Sequence, residues 1–285
     1  YAARWLEPRT RDVLALRTEL VLALQEFLAG RGLLNIDRVS LSPITDPLAH
    51  GVESVPVVTY KSVPYRTTHS MIYCKMLACM NPGIPGIFVD SPNIRLELPS
   101  GTQRGKYLVD FSQMDIELRR ERAISEIAYR EDPEGTASAL RAERDRLLDF
   151  FEEAVVHAIG RIAERRSPEL GRLGIRLEVP RRPFPRFRLD EARKRHGRGD
   201  PEAALGRETG SQFFWILGLL RENYDLVYPF LDAEGKPRDL ATIPSKDLYN
   251  FDLCASARRL DGSVGPAYEL LSGGLREWLF PVIVE

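Results

Sequence analysis

Five charged or polar side chains fall into phase around one loop of this sequence. Arg95 and Glu97 stand two residues apart, as do Asp115 and Glu117, and Phe111 and Gln113 continue the second series. Alternate residues of a β-strand point to one face, so these groups share a face if both segments are extended. Polar groups on a buried face are costly unless they are paired. Either they satisfy one another or the face is the polar floor of a ligand site, and the residue types allow both. An arginine suits a phosphate through bidentate hydrogen bonds, and carboxylates suit magnesium or an ammonium group.

Periodicity and breakers give the strands and helices that carry these groups. Gly86 to Glu97 and Tyr107 to Leu118 read as two antiparallel strands around a loop, Leu98 to Lys106, rich in Pro, Gly, Thr and Arg. Ser70 to Met80 reads as a mostly buried helix stopped by Asn81-Pro82-Gly83. Thr10 to Gly30 carries Val13, Leu16, Leu20, Leu24, Phe27 and Leu28 as a helical stripe, with Pro8 and Thr10 as start signals. Val39 to Ile44, broken by Pro43, reads as a short edge strand. Thr136 to Arg166 predicts a long amphipathic helix with Leu140, Leu147, Leu148, Phe151, Val155 and Ile162 on its inner side. The basic, Pro-rich stretch from Pro180 to Arg207 reads as surface. Phe213 to Leu220, Leu226 to Leu231, Asn250 to Cys254 and Ala267 to Leu271 read as sheet strands. There is no internal repeat. The expectation is a single α+β domain over residues 1–285, a mainly antiparallel sheet flanked by helices, with a helical insertion at about 134–168.

Composition narrows the function classes. With 44% hydrophobic and 28% charged residues, the chain has ordinary globular content and can bury a sizeable core. No apolar run is long enough to cross a membrane. A net charge of -1 argues against bulk electrostatic binding of nucleic acid and leaves room only for a local patch, for which Arg181, Arg182, Arg186 and Arg188 are the candidates. Cys74, Cys79 and Cys254 lack metal spacing and read as reduced, buried thiols of a cytoplasmic protein. The four histidines are scattered, so zinc is not expected.

The run Ser91-Pro92-Asn93-Ile94-Arg95-Leu96-Glu97, a loop, then Asp110-Phe111-Ser112-Gln113-Met114-Asp115-Ile116-Glu117 closely resembles motif 2 of class II aminoacyl-tRNA synthetases, in the aspartyl/asparaginyl subgroup. The resemblance implies roles. Arg95 would hold the ATP α-phosphate and the substrate carboxylate at the reacting centre. Glu97 would contact the adenine amino group, Phe111 would stack on the base, and Arg104 would reach the outer phosphates. Gln113 and Asp115 would line the amino-acid side of the site.

The resemblance runs along most of the chain. Arg4 to Arg9 is similar to the opening of the subgroup's catalytic domain. Gly32 to Pro43 resembles motif 1, the dimer-forming helix and strand, which implies a homodimer. His69-Ser70-Met71-Ile72-Tyr73-Cys74-Lys75-Met76 stands where aspartyl enzymes carry glutamine-serine-proline-glutamine-x-x-lysine. Ser70 and Lys75 match that pattern, whereas His69, Met71 and Ile72 depart from it. In the family this lysine reads the substrate β-carboxylate, and a lone ammonium in a small pocket favours a carboxylate over a carboxamide. Lys75 therefore implies an aspartate-like acid. Phe251-Asp252-Leu253 and Tyr268-Glu269-Leu270-Leu271-Ser272-Gly273-Gly274 resemble later segments of the subgroup. There Asp252 and Glu269 would hold magnesium on the triphosphate, and Gly273 would let the substrate approach the backbone. The extra segment Ala255 to Pro266 lengthens the separation between these segments.

Motif 3, with its arginine for the ATP γ-phosphate, is not found. Arg276 reads two ways. It continues the serine-glycine segment and binds the substrate α-carboxylate, or Arg276-Glu277 and Leu279-Phe280-Pro281 match the residues just after motif 3 in archaeal-type aspartyl enzymes, with a segment missing near Gly274–Leu275. The second reading is preferred, and a real loss there would badly impair adenylation. Because the resemblance begins at Arg4, with no anticodon-binding barrel ahead of it or behind, the expectation leans away from tRNA. It leans toward asparagine synthetase-like paralogues: AMP-forming ligases that use ATP and Mg2+ to activate aspartate and pass it to ammonia or a small amine. The alternatives are the catalytic domain of an aspartyl-tRNA synthetase and a non-catalytic synthetase-like regulatory or binding protein.

Overall fold

The computed structural model describes residues 5–44, 52, 54–96, 108–121, 124–197, 201–219, 225–232, 234–239, 242–258 and 261–277. The chain groups into two compact units, one of Leu28–Glu121 and one of Tyr1–Phe27 with Arg122–Glu285. Glu97 and Arg104, and motif-like residues from 278 onward, lie outside the described residues.

Helix α1 (Pro8–Gly30) opens the described chain, matching the helical stripe read from the sequence. The smaller unit then runs through β1 (Leu34–Asn35), β2 (Leu41–Ser42), β3 (Val57–Tyr60), β4 (Val63–Thr67), α2 (Ile72–Met80), β5 (Gly86–Ile94) and β6 (Asp110–Leu118). β5 and β6 form the expected antiparallel pair, and β1 joins β5 in parallel, giving the order β1-β5-β6. A second sheet has the order β2-β4-β3, with β2 at its edge as Pro43 suggests. α2 packs against β5 and β6. It is less buried than its sequence predicts: only Ile72 and Lys75 of the helix are buried, while Leu77 and Met80 are exposed. Apolar residues cover α2 on more sides than two strands can shield.

The larger unit continues with α3 (Glu126–Glu131), α4 (Pro133–Arg165), α5 (Ser167–Arg172), β7 (Arg186–Arg188), α6 (Leu189–His196), α7 (Pro201–Glu208), β8 (Phe213–Leu217), β9 (Asn250–Arg258) and β10 (Val264–Gly274). The sheet order is β10-β9-β8-β7, antiparallel except for β7 with β8. Helices cover both faces, which is why every residue of β8 is buried. On one face Phe151 of α4 meets Phe251, and Trp215 donates to Glu152 Oε1 at 2.9 Å. On the other, Leu189, Ala192 and Leu205 of α6 and α7 pack on Phe214, Ile216, Cys254 and Ala267. The mixed α+β class with antiparallel-dominated sheets is as the sequence implies, but the described strands form three sheets rather than one.

Three local expectations are corrected. Pro180 to Arg207 is not merely surface, because Phe184, Leu189, Ala192 and Leu205 are core residues. Leu226 to Leu231 is no strand. It makes isolated bridges, Asp225 with Arg276, Val227 with Leu248 and Leu231 with Pro237, and buries Leu226, Val227 and Tyr228 between them. The cysteines are free, but only Cys254 is buried; Cys74 and Cys79 are half-buried.

α1 also carries a feature that the apolar stripe hides. Asp12, Glu19 and Glu26 recur every seventh residue and so share one side of the helix. Each meets one or more arginines, at the end of α4, in α5 or, as Arg166, between them. Arg172 grips Asp12 with two bonds of 2.7 and 2.8 Å. Arg161 and Arg166 donate to Glu19 at 3.0 and 3.2 Å, and Arg161 also pairs with Glu26. The Arg172 hydrogen bonds hold the Asp12 carboxyl below the usual range, against burial. At Glu19 burial pushes the carboxyl up, and the Arg161 and Arg166 bonds outweigh it and hold it low.

Candidate active site

In the smaller unit the site is built on the β5–β6 hairpin. Its register sets Val89 opposite Asp115, Ser91 opposite Gln113 and Asn93 opposite Phe111. The Arg95 amide donates to the Val109 carbonyl at 2.9 Å, which carries the pairing past the end of β5. Directly paired residues present side chains to the same side. One row therefore holds Ser91, Asn93 and Arg95 against Gln113, Phe111 and Asp115.

Contacts within the row are specific. Arg95 Nη2 reaches Gln113 Oε1 and Asn93 Oδ1, each at 3.3 Å, and its guanidinium carbon lies 5.2 Å from the centre of the Phe111 ring. Arg95 Nε and Nη2 also donate to the His69 carbonyl at 3.0 and 2.9 Å. That carbonyl belongs to the segment Thr67–Met71, whose backbone is stapled on both sides. Thr68 donates through its amide to Ser40 and through Oγ1 to Val39, and its own carbonyl accepts from Ile94. Met71 enters α2 in the left-handed region, with φ of 54° and 1% exposure. A buried non-glycine residue in that region is strained, and such strain persists only where its surroundings hold it.

Lys75 is 5% exposed, and its Nζ lies 3.1 Å from Asp115 Oδ2. The expected lone ammonium is thus an ion-paired one. Two hydroxyls of this region, Ser70 Oγ and Ser91 Oγ, are buried and make no hydrogen bond among the described residues. The unit brings together an arginine fork, an ammonium–carboxylate pair and buried hydroxyls. That set is complementary to a zwitterion and an anion.

In the larger unit, the described residues of the extra segment Ala255 to Pro266 continue β9 to Arg258 and begin β10 at Val264. This leaves the two expected metal carboxylates close in register. Asp252 pairs with Ser272, and Glu269 with Cys254, with a bulge between Glu269 and Leu271. Glu269 is exposed, whereas Asp252 is 4% exposed. No cluster of three or more His, Cys, Asp or Glu suited to a metal occurs among the described residues. Magnesium usually takes one or two carboxylates together with substrate phosphates and water, so this sparse donor set fits that mode and no all-protein cage.

Gly273 has a packing reason to be glycine. A Cβ there would lie 2.9 Å from Cε2 of Phe251. Arg276 pairs with Asp225 at 2.9 Å, and Asn250 holds the other oxygen of that carboxylate at 2.9 Å. Gly274 passes directly into Leu275, whose amide donates to Tyr249 and whose carbonyl accepts from Leu226. The stretch after β10 is thereby tied to the segment around Leu226.

The candidate basic patch is largely neutralised. Arg182 and Arg186 meet Asp149, Glu152 and Glu153 of α4, and Arg188 faces Glu191. The residues missed from the sequence are Asn93 and His69. Asn93 was legible in principle as the polar residue in phase between Ser91 and Arg95. The His69 contact runs through a carbonyl, which no residue type announces.

No protein-family model matches the chain. Its relatives are synthetases. The "Aspartate--tRNA(Asp/Asn) ligase" of Archaeoglobus fulgidus is 22% identical over 278 residues, covering 98% of this chain and 56% of that protein. The "Aspartate--tRNA(Asp) ligase" of Thermococcus kodakarensis is 25% identical over 289 residues, covering 99% and 58%. The chain spans little more than half the length of these relatives. Among solved structures, the Entamoeba histolytica asparaginyl-tRNA synthetase superposes with a TM-score of 0.67 at 17% identity, over 98% of this chain and 56% of that one. The resemblance to the aspartyl/asparaginyl subgroup of class II is borne out, and the fold is shared with these synthetases over little more than half of their length. Among the described residues no helix is long and apolar enough to cross a membrane.

Proposed function

We propose that the chain is an AMP-forming ligase that activates aspartate, or an aspartate-like acid, with ATP and passes the acyl group to ammonia or a small amine. The observation that carries this reading is the pair that Lys75 of α2 makes with Asp115, on the same hairpin as the Arg95 fork. An acid with an α-ammonium group and a second carboxylate complements both members: its ammonium to Asp115 and Ser70, a carboxylate to Lys75. The reacting carboxylate and the ATP α-phosphate then meet at Arg95. Gln113, beside the fork, lines the same floor, and Phe111 offers the ring face away from Arg95 to the adenine.

A carboxylate oxygen attacks the α-phosphorus in line, the bond to the leaving pyrophosphate breaks, and an acyl-adenylate forms. An amine nitrogen then attacks the acyl carbon, loses a proton and releases AMP. The protein's part is positioning and charge neutralisation. The resemblance implies that Asp252 and Glu269 would hold magnesium on the triphosphate, where the ion would supply further neutralisation of charge. The homodimer and the cytoplasmic setting are implied by the resemblance and belong to the same proposal.

Transfer to a small amine is favoured over tRNA by the charge pattern. The net charge is -1, and Arg182 and Arg186 face acids of α4 rather than presenting a basic stripe to a phosphate backbone. The second reading, the catalytic domain of an aspartyl-tRNA synthetase, is supported by the relatives, which are aspartate–tRNA ligases.

Aspartate-dependent ATP–pyrophosphate exchange by the intact chain is the first test, and its absence would favour the non-catalytic reading over both enzymes. Mass spectrometry of the product, with ammonia or with tRNA supplied, separates the two acceptors.

A further inference from the structure

Asn93 has no exposed surface, and the resemblance assigns it no role. Both ends of its carboxamide are engaged. Nδ2 donates to the Ser91 carbonyl at 3.0 Å, and Oδ1 accepts from Arg95 Nη2 at 3.3 Å. The first bond fixes the sense of the second, because turning the amide over would set a donor against the guanidinium and an acceptor against a carbonyl.

The hairpin does not need this carboxamide. Its register is carried by main-chain bonds along β5 and β6. A buried amide is tolerated there because both of its ends find partners. Its consequence falls on Arg95. Together with the His69 carbonyl and Gln113 Oε1, Asn93 grips the Nε–Nη2 edge of the fork, so the direction of the opposite edge is set before a ligand arrives. The acceptor is also neutral. A carboxylate at this position would still offer the guanidinium an acceptor, but it would lose the donor to the Ser91 carbonyl and cancel part of the charge that a phosphate needs.

We propose that Asn93 is a positioning residue: it orients the Arg95 guanidinium without neutralising it, so that the fork meets the reacting phosphate. The consequence for catalysis rests on the adenylation reading, whereas the placement of Arg95 does not.

Two measurements on the intact chain keep these apart. The first is rotation of the Arg95 guanidinium about its Nε–Cζ bond, by nitrogen-15 NMR without ligand. N93L removes the acceptor at nearly constant volume and is expected to speed rotation about fivefold, the size of one modest hydrogen bond. N93D keeps the acceptor and rotates no faster than the parent. Unchanged rotation in N93L overturns the proposal, whatever the activity. Should N93L not fold, N93A provides the same reading.

The second measurement is aspartate-dependent pyrophosphate exchange. Here kcat is expected to fall about fivefold in N93L while KM for aspartate stays within about twofold. N93D is expected to raise KM for ATP while leaving rotation slow. A parent chain with no exchange sinks the adenylation reading but leaves the rotation result standing. Faster rotation with kcat unchanged in an active enzyme reduces Asn93 to a structural residue and overturns its positioning role.

Discussion

Lys75 of α2 and Asp115 of β6 form an ion pair of 3.1 Å, with side-chain exposures of 6% and 17%. Two charges that far from water stabilise each other only as a pair, because either one alone keeps its desolvation cost and loses its partner. K75M or D115N alone is therefore expected to cost about 3 kcal/mol. K75M with D115L, which removes both charges, should recover most of that loss. Urea midpoints of the three variants check this, and a double variant no more stable than the singles would uncouple the pair.

The Arg95 fork meets acceptors on two strands and a loop, a geometry that a point charge cannot copy. Both R95A and R95K should lower aspartate-dependent pyrophosphate exchange by about 100- to 1,000-fold. Near-parental exchange in R95K would show that charge alone suffices and that the fork is not used.

Glu19 links α1 to the arginines of α4 and makes stability depend on pH. Burial raises its carboxyl, but the Arg161 and Arg166 hydrogen bonds prevail, so the folded group sits below its ordinary value. The folded state then binds fewer protons than the unfolded one between the two values. The stabilisation is full above the unfolded value and is lost as pH falls through the folded one. The melting temperature of E19Q should accordingly lie furthest below the parent near neutral pH. The gap should narrow once pH drops below about 4. A gap that stays constant down to pH 3 would contradict this.

A Cβ at Gly273 would come within 2.9 Å of the Phe251 ring, which is itself 1% exposed. G273A is expected to lose about 1–3 kcal/mol by overpacking. Adding F251L should cost less in G273A than in the parent. Thermal unfolding of the four proteins measures that coupling. Strict additivity would return the glycine to the ligand side of the argument.

Local patterns carry much of the fold. The alternation Ser91, Asn93, Arg95 against Phe111, Gln113, Asp115 depends only on strand geometry, so the shared face of the hairpin is legible without coordinates. The 3.6-residue period and end signals place α1 and α4 to within a few residues for the same reason. Leu226 to Leu231 shows where this stops. An apolar run reports burial, and burial in an irregular segment held by isolated bridges looks the same as burial in a strand.

Charge partners are the least legible feature, and the site depends on them. Residue order alone says which side chains can carry charge, and that Arg95, Gln113 and Asp115 share a face. Three-dimensional packing was needed to assign Lys75 to Asp115, Arg276 to Asp225, and Arg182 and Arg186 to the acids of α4. It was needed equally to bring a carbonyl of residue 69 onto the Arg95 fork. The physical reason is one of range. Side-chain direction along a strand or helix is set by neighbours in the chain, whereas the partner of a charge is set by whichever distant segment packing brings within about 4 Å.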